Sequence, residues 1–158
     1  MSNVADNPKP ARSTRRGVLF GVGAGLLAGL AWCLIVIGTD SSQAYLIPLF
    51  GVVVAYGVYA GMRRPGRKAA AIAVTITAAT LILAIFYVER HFLVSLFSDN
   101  GDSLDIPLVP YLDWVVAVVR HAMSKSPSAP IYSLLALVAA GWFGHQGFEV
   151  HDPRLRRP

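Results

Sequence analysis

The sequence predicts an all-α protein: a polytopic membrane bundle of four transmembrane helices, with an additional amphipathic or re-entrant helix in the outer loop. Three observations lead there. First, the 158 residues are 54% hydrophobic and only 15% charged, with a mean hydropathy of +0.52, whereas a soluble domain carries about 25% charge. Second, the apolar residues are gathered into runs of about 20 residues, enough to cross ~30 Å of hydrocarbon at about 1.5 Å per residue. Third, lysine and arginine are dense in every other connecting segment, the pattern that the positive-inside rule produces.

Residues 1–16 read as a basic, disordered cytoplasmic tail, with Lys9, Arg12, Arg15 and Arg16 among polar residues and prolines that build no core. The first span, 17–38, holds no Asp, Glu, Lys, Arg or His and places Gly17, Gly21, Gly25 and Gly29 at four-residue steps. Without side chains these positions leave a groove into which another backbone fits, a glycine zipper. Four residues turn a helix about 40° past a full circle, so the groove curls and can serve more than one neighbour. Thr14 to Leu19 resembles a twin-arginine export signal, but the run that follows outlasts the usual ~7–15 residues and ends in no small-x-small site. The helix is therefore read as retained. Cys33, the only cysteine, follows the bulky Trp32 and reads as a small buried hydrophobe, without an intrachain disulfide or a cysteine metal cluster.

The second span, 44–62, has Pro48 where a first helical turn tolerates it and ends with Gly57 and Gly61 at the same spacing. Arg63, Arg64, Arg67 and Lys68 follow as a basic turn. The third span, 69–88, offers Ala73, Thr77, Thr80 and Ala84; hydroxyls at Thr75, Thr77 and Thr80 are expected to bond back to their own helix or across to a neighbour. A fourth span, 131–148, aligns Ala136, Ala140 and Gly144, and its end sets Trp142 and Phe143 beside His145 and Gln146 at interfacial level. These small faces on the other spans are expected to answer the first-helix ladder within the chain. A basic cytoplasmic tail, 149–158, closes the sequence.

The outer loop, 89–130, opens on Glu89, Arg90 and His91 and reaches an acidic turn with Asp99, Asp102 and Asp105 around Asn100-Gly101. Its spacing departs from the calcium-binding EF-hand loop and fits a solvated turn. An interfacial helix over about 108–123 is apolar yet interrupted, so it lies on the outer leaflet or forms a lid on the bundle. Tyr111, Asp113, Trp114, Arg120 and His121 are its candidate contact residues; Asp113 and Arg120 are too far apart in sequence for the usual helical ion pair. No metal or cofactor site is expected, because nothing in the spacing demands that His91, His121 and Asp113 converge.

Eleven lysines and arginines fall in the two tails and the second connection, and three, Arg90, Arg120 and Lys125, on the other side. Both termini are thus expected in the cytoplasm, in a multi-pass protein of the inner (plasma) membrane. Anionic headgroups at the basic segments account for the net charge of +5 without nucleic acid. Trp32 late in a Gly/Ala-rich first helix, then Gly51 to Tyr59 leading to Arg63 and Arg64, resembles small four-helix integral membrane proteins of bacteria. That group commonly has a second glycine before the tyrosine, where this chain has Ala55. The resemblance implies a topology and no activity.

No acid pair lies in a span, and no Gly-x-Ser-x-Gly, His-Glu-x-x-His or phosphate-binding glycine loop occurs, so the chain reads as no enzyme. Two functions stay open. One is a non-enzymatic scaffold or accessory subunit that holds a membrane protein partner through small-residue faces and the outer lid. The alternative is a small homo-oligomeric channel or exporter lined by threonine and glycine faces.

Overall fold

A computed structural model describes residues 14–39, 41, 44–99, 107–126 and 128–148, side chains at 98 and 99 apart. All regular structure in them is helical: α1 (Thr14–Thr39), a 3-10 turn (Ala44–Leu46) leading into α2 (Ile47–Met62), α3 (Arg67–Asp99), α4 (Leu112–Lys125) and α5 (Ala129–Gln146). Three stretches, Thr14–Thr39, Ala44–Met62 and Arg67–Phe97, are long and apolar enough to cross a membrane, and α4 with α5 counted as one broken span would make a fourth.

Local chemistry explains the helix ends. Pro48 and Pro130 stand in the first turns of α2 and α5, where a missing N–H breaks no helical bond. α2 stops at Arg63, which adopts the left-handed conformation (φ 51°) and donates its N–H to the Tyr59 carbonyl at 2.6 Å. Gly66 (φ 137°) then redirects the chain, and its N–H reaches the Gly144 carbonyl of α5 at 3.2 Å. α5 ends where Gly147 takes a positive φ of 79°, which turns Phe148 back against Phe143 in a parallel stack at 5.2 Å.

α2 and α3 lie side by side; α1 packs against both on one flank and α5 against both on the other, while α4 lies on α3 and touches α5. Two apolar clusters fill the seams. One joins Trp32, Val36, Phe50, Leu81, Ile85 and Val88 to Ala122 of α4. The other joins Val54, Val58, Ala73, Ile76 and Ala140. A third, smaller cluster of Phe86 and Val118, flanked by Leu93, Val94 and Val115, seats α4 on α3.

Several boundaries differ from those read in the sequence. α1 begins at Thr14, so Arg15 and Arg16 are helical and not part of the tail. The third helix does not stop at Val88: α3 runs 33 residues, about 50 Å, well beyond the ~30 Å of hydrocarbon. The charges at Glu89 to His91 do not end the helix. No glycine or proline interrupts the chain before Gly101, and Leu93 and Val94 gain α4 as a packing partner. The expected helix at 108–123 is found at Leu112–Lys125, since Pro110 disfavours helical backbone in the residue before it. α5 covers Ala129–Gln146 in place of 131–148. Residues 1–13 and 149–158 and the acidic turn proposed around Asp102 and Asp105 lie outside the described residues.

If the outer part of α3 is the seat for α4, Val94→Pro should remove that seat. A proline inside a helix costs about 3 kcal/mol. The expected result, read by limited proteolysis and thermal unfolding in detergent, is a lower midpoint with new cleavage between residues 111 and 126.

Candidate functional site

All four ladder glycines of α1 are buried, and their curl passes them from one neighbour to the next. A Cβ on Gly17 would run into the Met62 side chain of α2. On Gly21 it would meet Val58 of α2 at 2.6 Å and Ile76 of α3 at 2.9 Å, and on Gly25 it would meet Thr80 of α3 at 2.8 Å. Gly29 faces Ala84 and Phe50 at 3.7 Å, which is ordinary contact. The ~40° drift per step therefore becomes a shared seam with α2 and α3.

The closest backbone approaches lie elsewhere. A Cβ on Gly61 would sit 2.5 Å from the Arg16 carbonyl oxygen and 2.6 Å from Gly17 Cα, and one on Gly57 would sit 2.7 Å from the Phe20 carbonyl oxygen. Gly57 and Gly61 thus answer α1. Ala136, Ala140 and Gly144 are buried but do not answer it. A Cβ on Gly51 would collide with the Ala136 carbonyl oxygen and approach the Ala140 nitrogen at 3.0 Å, and Gly144 faces the Ala70 Cα at 2.8 Å. α5 reads α2 and then α3, from the flank opposite α1. Gly51 was not among the small-residue positions singled out in the sequence. It stands six residues before Gly57, about 240° round the helix, so a search for four-residue spacing passes over it.

Threonine chemistry is mixed. Thr80 donates its hydroxyl to the Ile76 carbonyl at 2.8 Å while its methyl faces Gly25, the back-bonding that keeps a hydroxyl satisfied inside an apolar seam. Thr77 is fully buried, and its hydroxyl has no partner among the described residues. Thr75 is exposed. Cys33 is half-buried, its thiol 3.8 Å from the Ala84 carbonyl, and it lines a shallow apolar groove with Leu26, Leu30, Leu83 and Tyr87 between α1 and α3. A second groove, between α1 and α2, is lined by Leu19, Phe20, Leu27 and Tyr56.

α4 has two apolar sides. Val118 and Ala122 are buried against α3, with Val115, Val119 and Met123 beside them. Leu112 and Val116 face outward, 77% and 58% exposed, next to exposed Leu108, Val109 and Tyr111. Asp113, Trp114 and Arg120 are exposed as well, and His121 is half-buried, with its Nε2 enclosed and unpartnered among the described residues. His91, His121 and Asp113 do not come together: no three His, Cys, Asp or Glu cluster among the described residues.

At the opposite end, the basic turn is tied to α5. Phe148 contacts Tyr56 edge-on at 5.3 Å and Tyr59 at 5.8 Å, and Gly147 lies over Pro65. Phenols beside exposed Arg63, Arg64, Arg67 and Lys68 make an amphipathic rim, and His145 is exposed in the last turn of α5. The chain matches no family model, no curated protein and no solved structure.

Two substitution sets check these seams. Gly51→Ala and Gly61→Ala each force backbone apart and should destabilise by roughly 1–3 kcal/mol in a reversible unfolding assay, whereas Gly23→Ala, mid-helix with open space around it, should stabilise by up to about 1 kcal/mol. Arg63→Gly relieves a left-handed non-glycine cap and should raise stability by up to about 1 kcal/mol in the same assay.

Proposed function

We propose that the chain is a non-enzymatic scaffold or accessory subunit of a bacterial inner membrane, with four spans, both termini cytoplasmic, and α4 lying at the outer surface. The observation that carries this reading is α4. One of its apolar sides is committed to α3, and a second, formed by Leu112 and Val116 and continued by Leu108 and Val109 before the helix, faces outward. An exposed apolar face at this level suits a membrane protein partner or the outer leaflet. The glycine groove is occupied by the chain's own helices, so the partner surface moves to α4 and the outward side of α1. A homo-oligomeric channel or exporter draws less support, because the glycines and the buried threonines, Thr77 and Thr80, are taken up in internal packing.

Topology is tested with cysteines introduced between residues 149 and 158 on a Cys33→Ala background. They should react with an impermeant maleimide only after the inner membrane is opened; reaction in intact spheroplasts would overturn the orientation. Function is tested by native mass spectrometry of the protein extracted from its own membranes in mild detergent. A hetero-complex lost on Leu112→Glu with Val116→Glu is expected. A closed homo-oligomer that carries ions in liposomes would replace the scaffold with the pore.

A further inference from the structure

At the outer end of the packed helices a cavity of about 50 Å³ opens where all five helices contribute walls. Trp32 comes from α1, Ile85 and Glu89 from α3, Met123 from α4, Ser126 from the link that follows it, and Ala129 from α5. Glu89 is the only ionisable residue among the described residues of the lining. It is half-buried and has no ion pair or hydrogen bond among the described residues. Because α3 is unbroken from Arg67, Glu89 stands about 33 Å along it, at the outer edge of the hydrocarbon. A carboxylate held there, partly out of water and among apolar walls, attracts positive charge more strongly than one in bulk solvent.

The lining decides which cation. A metal ion of the calcium or magnesium type needs about six oxygen ligands, and among the described residues the side chains of the lining offer one carboxylate and one serine hydroxyl. Trp32 and Met123 provide an aromatic ring and a polarizable thioether, surfaces that favour organic cations, and Ile85 and Ala129 suit carbon substituents. At roughly 10–15 Å³ per water-sized group, the volume takes about three or four heavy atoms. We infer that this cavity binds a small organic cation, an alkylammonium head whose charge rests on Glu89 and whose carbons meet Trp32, Ile85 and Met123. The site goes beyond the scaffold reading and requires no protein partner.

The test uses the full chain in nanodiscs with Trp114→Phe and Trp142→Phe, which leaves Trp32 as the only tryptophan. Ethylammonium should change Trp32 emission saturably, while sodium at equal ionic strength and ethanol should not. Glu89→Gln should weaken binding roughly tenfold to a hundredfold, the usual effect of losing a charge-assisted hydrogen bond. Ala129→Leu, which keeps the carboxylate and fills the cavity, should weaken it as well; thermal unfolding of both variants shows that they are folded, and if one fails to fold the other decides. No saturable change up to about 0.1 M ethylammonium, equal response to sodium or ethanol, or unchanged affinity in a folded variant would overturn the inference.

Discussion

The structure depends on backbone-to-backbone contact at α2. In lipid there is no hydrophobic gain from bringing apolar helices together, so association rests on dispersion between closely packed atoms and on polar contacts. Gly57 and Gly61 admit the backbone of α1 on one side of α2, and Gly51 admits that of α5 on another. A single 16-residue helix thereby carries two tight seams. The clusters around Phe50 and Val58 fill what those approaches enclose, and the outward sides of α1 are left to leucine, isoleucine and phenylalanine.

Much of this was legible in the sequence because lipid imposes a simple rule: uncharged runs of spanning length become helices whose backbone satisfies itself. The existence of α1, α2 and the apolar part of α3 followed from it; α4 was legible instead from an apolar stretch broken by Asp113 and Arg120. The end of α3 did not follow, because the charges at Glu89, Arg90 and His91 end the apolar run and not the helix, whose termination needs a local conformational reason that the chain lacks before Gly101. Nor were the pairings legible. A row of small residues says that something approaches closely, and it is the same row whether the visitor is a backbone, as at Gly61, or a side chain, as at Gly25. Ala136, Ala140 and Gly144 looked like partners of the α1 ladder and turned out to face α2 and α3.

The two ends of the packed helices are built from different materials. One is closed by rings: Tyr56, Tyr59, Phe143 and Phe148 gather beside a turn dense in arginine, with Gly66 and Gly147 supplying backbone conformations that L side chains rarely adopt. The other is closed by α4, which sits on the C-terminal reach of α3 and leaves a small cavity with Glu89 in its wall. The continuity of α3 joins the two, so the basic turn and the seat of α4 are ends of the same rigid element.

The seams also follow the order of translation. α2 finds its contact on α1, α3 packs against both of these, and α5 then packs against α2 and α3. For each of these later helices, the surface it packs against precedes it in the chain. The Gly51 side of α2 is completed late: its partner, α5, follows only after α3 and α4, so a bare patch of the kind that admits another backbone stays uncovered until then.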